Sequence, residues 1–244
     1  CRHDQAFLDL HNALALFEEM QDTDMIAHCS SSIGVLYAKT GQYEAALEWQ
    51  FKALATSESR NLSGLSGAIL GNIGNLYVSM NNLNTALEYH QRSLKIKESI
   101  HDELGASNSL NAIGVIYELK GELDSALEFL QRSIQIAEQK GAISLLADPT
   151  KNIGYVYLKQ KQYRVAIRQA YRSLSLFISK PIQDLSLTEI ANAIGNKQFV
   201  ANTFLLIGEA NLELGDLEEA EKTIIESLAI CQSIQSRSSE FRCL

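Results

Sequence analysis

The chain has 244 residues, 46% of them hydrophobic, and its 21 basic against 29 acidic side chains leave a formal charge of −8. That balance excludes the basic footprint of a nucleic-acid binder or of a protein held on an anionic membrane. Two prolines, Pro149 and Pro181, among abundant Ala, Leu, Glu and Gln predict an all-α protein.

The first twenty residues read as one helix. Ala6, Phe7 and Leu14 stand forty residues before Ala46, Leu47 and Leu54, so residues 1–22 are expected to be the second helix of a repeat that lacks its first. The N-terminus has no signal-peptide shape, and no window reaches the apolar length of a membrane-spanning helix. Cys1, Cys29, Cys231 and Cys243 form no CxxC pair. Scattered in this way they read as reduced thiols of a cytoplasmic protein.

From residue 24 a unit recurs. "IGVLYAKTGQYEAAL" at 33–47 returns as "IGNLYVSMNNLNTAL" at 73–87, "IGVIYELKGELDSAL" at 113–127 and "IGYVYLKQKQYRVAI" at 153–167. A fifth copy, "IGEANLELGDLEEAE", begins at Ile207, fourteen residues later than the period would place it. Similarity at a fixed period outranks local signals. The copies are expected at 24–62, 63–102, 103–142, 143–178 and 198–234, with an insertion at 179–197 and the start of a further truncated repeat at 235–244. Both ends therefore read as cut from a larger parent chain.

Within a copy, Gly34 and Ala46 lie symmetrically about Thr40, as do Tyr37 and Tyr43. A chain reversal there makes a helical hairpin whose backbones approach at the two small residues. Glycine inside a helix costs ~1 kcal/mol against alanine, so its return needs a packing reason. The signature is Gly34, Tyr37 and Ala46, then Gly74, Tyr77 and Ala86, Gly114, Tyr117 and Ala126, Gly154, Tyr157 and Ala166, and finally Gly208 and Ala220. Asn211 replaces the tyrosine of copy five, whose hairpin is expected to be looser there.

First helices are predicted at 24–39, 64–79, 103–119, 148–160 and 198–214. Second helices are predicted at 42–57, 83–100, 122–139, 162–178 and 217–232. The turns carry Gly41, Asn81, Gly121, Lys161 and Gly215. Gly and Asn suit the left-handed residue that ends a helix, whereas Lys161 predicts local strain or a different turn. In copy four, Asp148 is expected to cap a first helix with Pro149 in its first turn, after a separate turn over "GAISLLA". In the insertion, Pro181 ends the preceding helix and Asp184 caps a short extra helix through Ile194. That helix would change how copies four and five stack, and either fills space or folds back over the groove. Stacked hairpins bury a continuous core, so the fold class is an α-solenoid of antiparallel helix hairpins.

The Gly, Tyr, turn and Ala pattern of these five copies resembles the tetratricopeptide repeat. Its forty-residue period is similar to that of the long-helix branch, which includes kinesin light chains, LGN/Pins-like adaptors and bacterial regulatory domains. The resemblance covers Ala6 to Leu244. It implies a right-handed superhelix with first helices lining a concave groove, and protein or peptide binding without catalysis or cofactor.

The family's geometry puts particular places of each first helix on that groove. They are Val35, Asn72, Asn75, Asn108, Asn111, Val115, Lys151, Asn152, Tyr155, Asn202 and Leu205. An asparagine amide donates and accepts at once, so a ladder of them can hold an extended peptide backbone while the apolar members take its side chains. The alternative is that the asparagines bond within the scaffold. Lys151 is nearly alone as a groove cation, which argues against a clamp for a terminal carboxylate. The overall charge favours a basic or mixed peptide.

The five histidines, His3, His11, His28, His90 and His101, make no metal motif. "GDLEEAE" at 215–221 lacks calcium-loop spacing. No metal, cofactor, nucleic acid or membrane insertion is expected, and no enzyme. Three functions remain: a scaffold holding a partner's peptide or helix in its groove, a regulatory segment controlling an output domain, and a structural array that associates end to end.

Overall fold

The computed structural model describes residues 2–240 of the backbone, and the side chains of residues 5–234. Every regular element among the described residues is helical. The chain divides into two compact units, one through Ile116 and the other from Tyr117. The division falls inside a helix, α6 (Glu103–Lys120).

The first unit opens with α1 (Arg2–Glu19) and continues with α2 (Thr23–Lys39), α3 (Tyr43–Ser59), α4 (Ser63–Ser79) and α5 (Leu83–Ser99). α2 and α3 form one hairpin and α4 and α5 another; α1 packs on α2 and α3 on α4. The second unit holds α7 (Leu123–Gln139), a 3-10 turn at Ile143–Leu145, α8 (Ala147–Lys159), α9 (Tyr163–Ser175), a second 3-10 turn at Ile182–Asp184, α10 (Leu187–Ala193), α11 (Lys197–Leu214) and α12 (Leu217–Glu240). There α8 pairs with α9 and α11 with α12, and α9 packs on α11.

Small residues set the hairpin approach, with one correction. Ala46, Ala86, Ala126 and Ala166 are fully buried. Gly34, Gly74 and Gly208, however, meet a side chain farther along the second helix, and Gly154 most closely meets Leu206 of α11, at 2.8 Å. A Cβ on Gly34 would stand 2.8 Å from Gln50 Nε2 and 3.1 Å from the Ala46 carbonyl. One on Gly208 would stand 2.5 Å from Ile224 Cγ1. The hairpin of copy five is thus as close as the others, and Asn211 is buried in it.

The signature tyrosines Tyr37, Tyr77 and Tyr117 pack on aromatics. Tyr77 stacks on Tyr89 with centroids 5.5 Å apart, and Tyr117 on Phe129 at 5.3 Å. A cation three residues on covers the second-helix ring, as Lys52 does Trp49, Arg92 does Tyr89 and Arg132 does Phe129.

The turns follow one rule. Gln21, Gly41, Asn61, Asn81, His101, Gly121, Gly141 and Lys161 all have left-handed backbone, at every twentieth residue. At Asn81 the amides of residues 81 and 82 return to the carbonyls of Val78 and Tyr77, at 2.9 and 2.8 Å. This is the Schellman arrangement, which satisfies the last carbonyls of a helix. Lys161 and Gln162 make the same bonds to Leu158 and Tyr157. The turn of copy four is therefore the common one, with a lysine held at φ 61°.

Elsewhere the caps differ from expectation. Asp148 lies inside α8, because the 3-10 turn at Ile143–Leu145 runs directly into that helix through Leu146. α9 ends at Ser175, well before Pro181. The extra helix exists, but Ser186 caps it, in a capping box with Glu189, and Asp184 belongs to the preceding 3-10 turn. Residues 235–240, expected to begin a further repeat, continue α12; residues 241–244 and Cys1 lie outside the described residues. Cys29 is buried and Cys231 half-buried, both as free thiols.

Candidate functional site

A helix shows successive turns of one face at i, i+3 and i+4. In α4 this rule puts Ala68, Gly71, Asn72 and Asn75 on one side, while Ile69, Leu70, Ile73 and Leu76 are buried. The same register in α6 buries Leu110, Ile113 and Ile116 and turns Asn108 and Asn111 the other way.

Two cavities open on this face of the first unit. One, of about 270 Å³, is lined by Val35, Asn72 and Asn75 with Lys39, Tyr43 and Gln50 among its walls. The other, of about 350 Å³, is lined by Asn72, Asn75, Asn108 and Asn111 with His90, Lys97 and Ser109. They adjoin, because Asn72 and Asn75 line both. Asn75 and Asn108 are exposed, and Asn72 and Asn111 are half-buried. The structure thus brings five of the expected groove residues into one strip. Val115 is half-buried and lines neither cavity.

The walls supplied by second helices were not foreseen. Gln50 is buried and bonded to Ser31, donating from Nε2 to its carbonyl at 2.9 Å and accepting from its Oγ at 3.1 Å. His90 holds the same place in copy two, where Gly71 replaces Ser31. It is 2% exposed, and neither ring nitrogen has a hydrogen-bond partner. Burial, with Lys97 adding repulsion, pushes its pKa down to about 4, so the ring is neutral near pH 7. Lys97 donates to Ser109 at 3.0 Å. Burial lowers its pKa, and Asp102 acts the other way. One signal could have found both. Corresponding places in other copies are Leu130 and Ala170 for His90, and Ser57 and Ala137 for Lys97, so copy two alone puts a basic group there.

No Asp or Glu lines either cavity, and the cations present are Lys39 and Lys97. The acidic total of the chain therefore does not extend to this face.

In the second unit, several expected groove residues are engaged by the scaffold. Lys151 is buried, pairs with Asp148 at 2.9 Å and lies 4.7 Å from the centre of the Phe199 ring. The Tyr155 hydroxyl donates to the Asn202 carbonyl at 2.8 Å, joining α8 to α11. Burial, reinforced by Glu209 and Glu118, pushes that phenol up to about 12. The Asn202 side chain accepts from Gln198. Asn152 is half-buried and Leu205 exposed.

Among the described residues no group of three His, Cys, Asp or Glu side chains could hold a metal ion, and no helix is long and apolar enough to cross a membrane.

Models of the tetratricopeptide repeat match residues 26–60, 65–139 and 201–233, together more than half of the chain. Copy four, with its two 13-residue helices and Lys161 turn, falls between the matches. No curated protein matches the sequence. Among solved structures, BtubC (BKLC) from P. vanneervenii superposes with a TM-score of 0.72 at 15% identity, over 96% of this chain and 93% of that one. NprR in complex with its cognate peptide NprX gives 0.67 at 18% identity, over 93% of this chain and 62% of that one. The Rap conjugation gene regulator of the plasmid pLS20 in complex with the Phr* peptide gives 0.71 at 15%, over 89% and 57%. At these identities the likeness is one of fold.

Proposed function

This chain belongs to the tetratricopeptide repeat family, whose helix hairpins form protein-binding scaffolds rather than enzymes, and we propose that it holds a partner's extended peptide across the polar face of its first unit. The observation that carries this reading is the pair of adjoining cavities that share Asn72 and Asn75. Their amides can each give and take a hydrogen bond, which suits the alternating N–H and C=O groups of an extended backbone. Asn108 and Asn111 extend the same chemistry, and Val35 and Leu76 offer apolar contact beside it. With Lys39 and Lys97 in the walls and no carboxylate, the bound segment carries neutral or acidic side chains rather than basic ones. NprR and the Rap regulator, which share the fold, were solved with peptides, and this supports the choice of a peptide as ligand.

The test is selection from a random heptapeptide library on the whole chain, with each enriched peptide titrated against the Asn75→Ala/Asn108→Ala variant. Both side chains are exposed, so the variant folds. A loss of tenfold or more in affinity is expected. Equal affinity for the variant places binding elsewhere and overturns the reading.

A further inference from the structure

The insertion walls a cavity in the second unit that shares no residue with the polar face of the first. Its volume is about 490 Å³, within the range of about 300–1,000 Å³ usual for small-molecule sites. Ile182, Leu185, Leu187 and Ile190 of the insertion line one side. Leu187 and Ile190 are buried core residues, and Ile182 and Leu185 pack against the same core. Arg168 and Tyr171 of α9 and Glu219 and Lys222 of α12 line the other.

The two basic walls are out of character for their places. Two residues after the signature alanine, copies one to three carry Glu48, Glu88 and Glu128. Copies four and five, which flank the insertion, carry Arg168 and Lys222 there, and both line the cavity. The sign is thus reversed only in the copies that make the site. α9 also carries Arg164 and Arg172 and no acidic residue. Glu219 is engaged by Lys222 at 3.2 Å, whereas Arg168 has no carboxylate partner among the described residues. An aliphatic cavity in a chain of charge −8 therefore has a guanidinium free at its rim and a net positive lining.

We propose that this cavity binds a small organic acid, its apolar body against the aliphatic wall of the insertion and its carboxylate on Arg168, with Lys222 beside it. The planar guanidinium offers a carboxylate two parallel hydrogen bonds, which an ammonium cannot match. The aliphatic wall selects for a hydrocarbon body over a short polar acid. Glu219 keeps the lining's positive charge low and so favours a monoanion over a dianion.

Calorimetric titration of the whole chain with octanoate, octanol, octylamine and acetate tests this. Octanoate should bind at one site per chain, with octanol, octylamine and acetate each at least tenfold weaker. Arg168→Glu, which restores the residue type of copies one to three at an exposed position, should weaken octanoate tenfold or more. Leu185→Ser should weaken it too, and the Asn75→Ala/Asn108→Ala variant should bind it as the wild type does. Circular dichroism checks that each variant is folded. The proposal is overturned if octanoate shows no heat at millimolar concentration, if octanol or acetate binds as tightly, or if folded Arg168→Glu binds it unchanged.

Discussion

His90 fills the space that a side chain on Gly74 would need: a Cβ there would stand 2.5 Å from the imidazole Cδ2 and 2.6 Å from Nε2. The ring is 2% exposed and lies directly against the Gly74 backbone, so an added methyl group fits only if the imidazole is pushed out of its packed position. Gly74→Ala should therefore destabilise the protein by about 1–3 kcal/mol, the usual cost of overpacking. Gly71, one turn earlier in α4, is the control. A Cβ there meets only Ser93 Oγ, at 3.6 Å, an ordinary contact. Gly71→Ala should stabilise by roughly 0.5–1 kcal/mol, because alanine loses less freedom in a helix. Urea unfolding of the two variants should give opposite signs from residues three apart.

His90 also sets a pH dependence. In the unfolded chain its imidazole titrates near 6.5, and in the folded protein near 4. Between those values the unfolded state binds more protons, so stability is full above pH 6.5 and falls as the pH drops through the window. Below about 4 both states are protonated and the loss levels off. The loss should be roughly 3 kcal/mol. Copy one suggests the repair, since Gln50 and Ser31 satisfy each other at the same places. The His90→Gln/Gly71→Ser variant should lose this dependence and gain about 1 kcal/mol at pH 7 from the bonds formed. Unfolding midpoints at pH 7, 5 and 4 decide the matter; parallel curves for wild type and variant would assign the dependence to other groups.

The difference between Gln50 and His90 also shows what a sequence can and cannot disclose here. The period located the helix hairpins of the repeats to within a few residues, except the end of α12, because small residues and turn formers recur in fixed register. The same register put Asn72, Asn75, Asn108 and Asn111 on one face. What stayed hidden depends on contacts between helices. Gln50 meets Gly34 sixteen residues away, across the turn, so a count along first helices alone misses the cavity walls. Lys151 looked like a groove cation, but Asp148 and Phe199 occupy it, and Phe199 comes from beyond the insertion. The left-handed residues Gln21 and His101 carried no turn signal of their own; the 17- and 18-residue helices on either side impose that conformation.

Lys161 makes that imposition measurable. It has φ 61° in the same hydrogen-bonded turn in which Gly121 has φ 81°. A residue with a Cβ costs about 1–2 kcal/mol in this conformation, and glycine gives back part of that through its freer unfolded chain. Lys161→Gly should stabilise by about 0.5–1 kcal/mol. Asn81→Gly should gain less, because asparagine tolerates the left-handed region. Thermal unfolding of both variants tests the order; a destabilised Lys161→Gly would mean that the lysine side chain contributes contacts outweighing its backbone strain.

Tyr155 separates scaffold from ligand contact. It was expected in the groove, yet its hydroxyl donates to the Asn202 carbonyl at 2.8 Å and its ring packs in the core of the second unit. Removing the hydroxyl leaves the ring in place and withdraws one buried donor from a backbone carbonyl. Tyr155→Phe should therefore cost about 1 kcal/mol of stability, the net value of one such bond, and should leave unchanged the affinity of any peptide whose binding depends on Asn75. Stability and affinity measured on the same variant distinguish the roles. Lost stability with intact affinity makes Tyr155 a tie between α8 and α11. Unchanged stability with weakened binding would return it to the ligand, and the hydrogen bond to Asn202 would then be one that the peptide displaces.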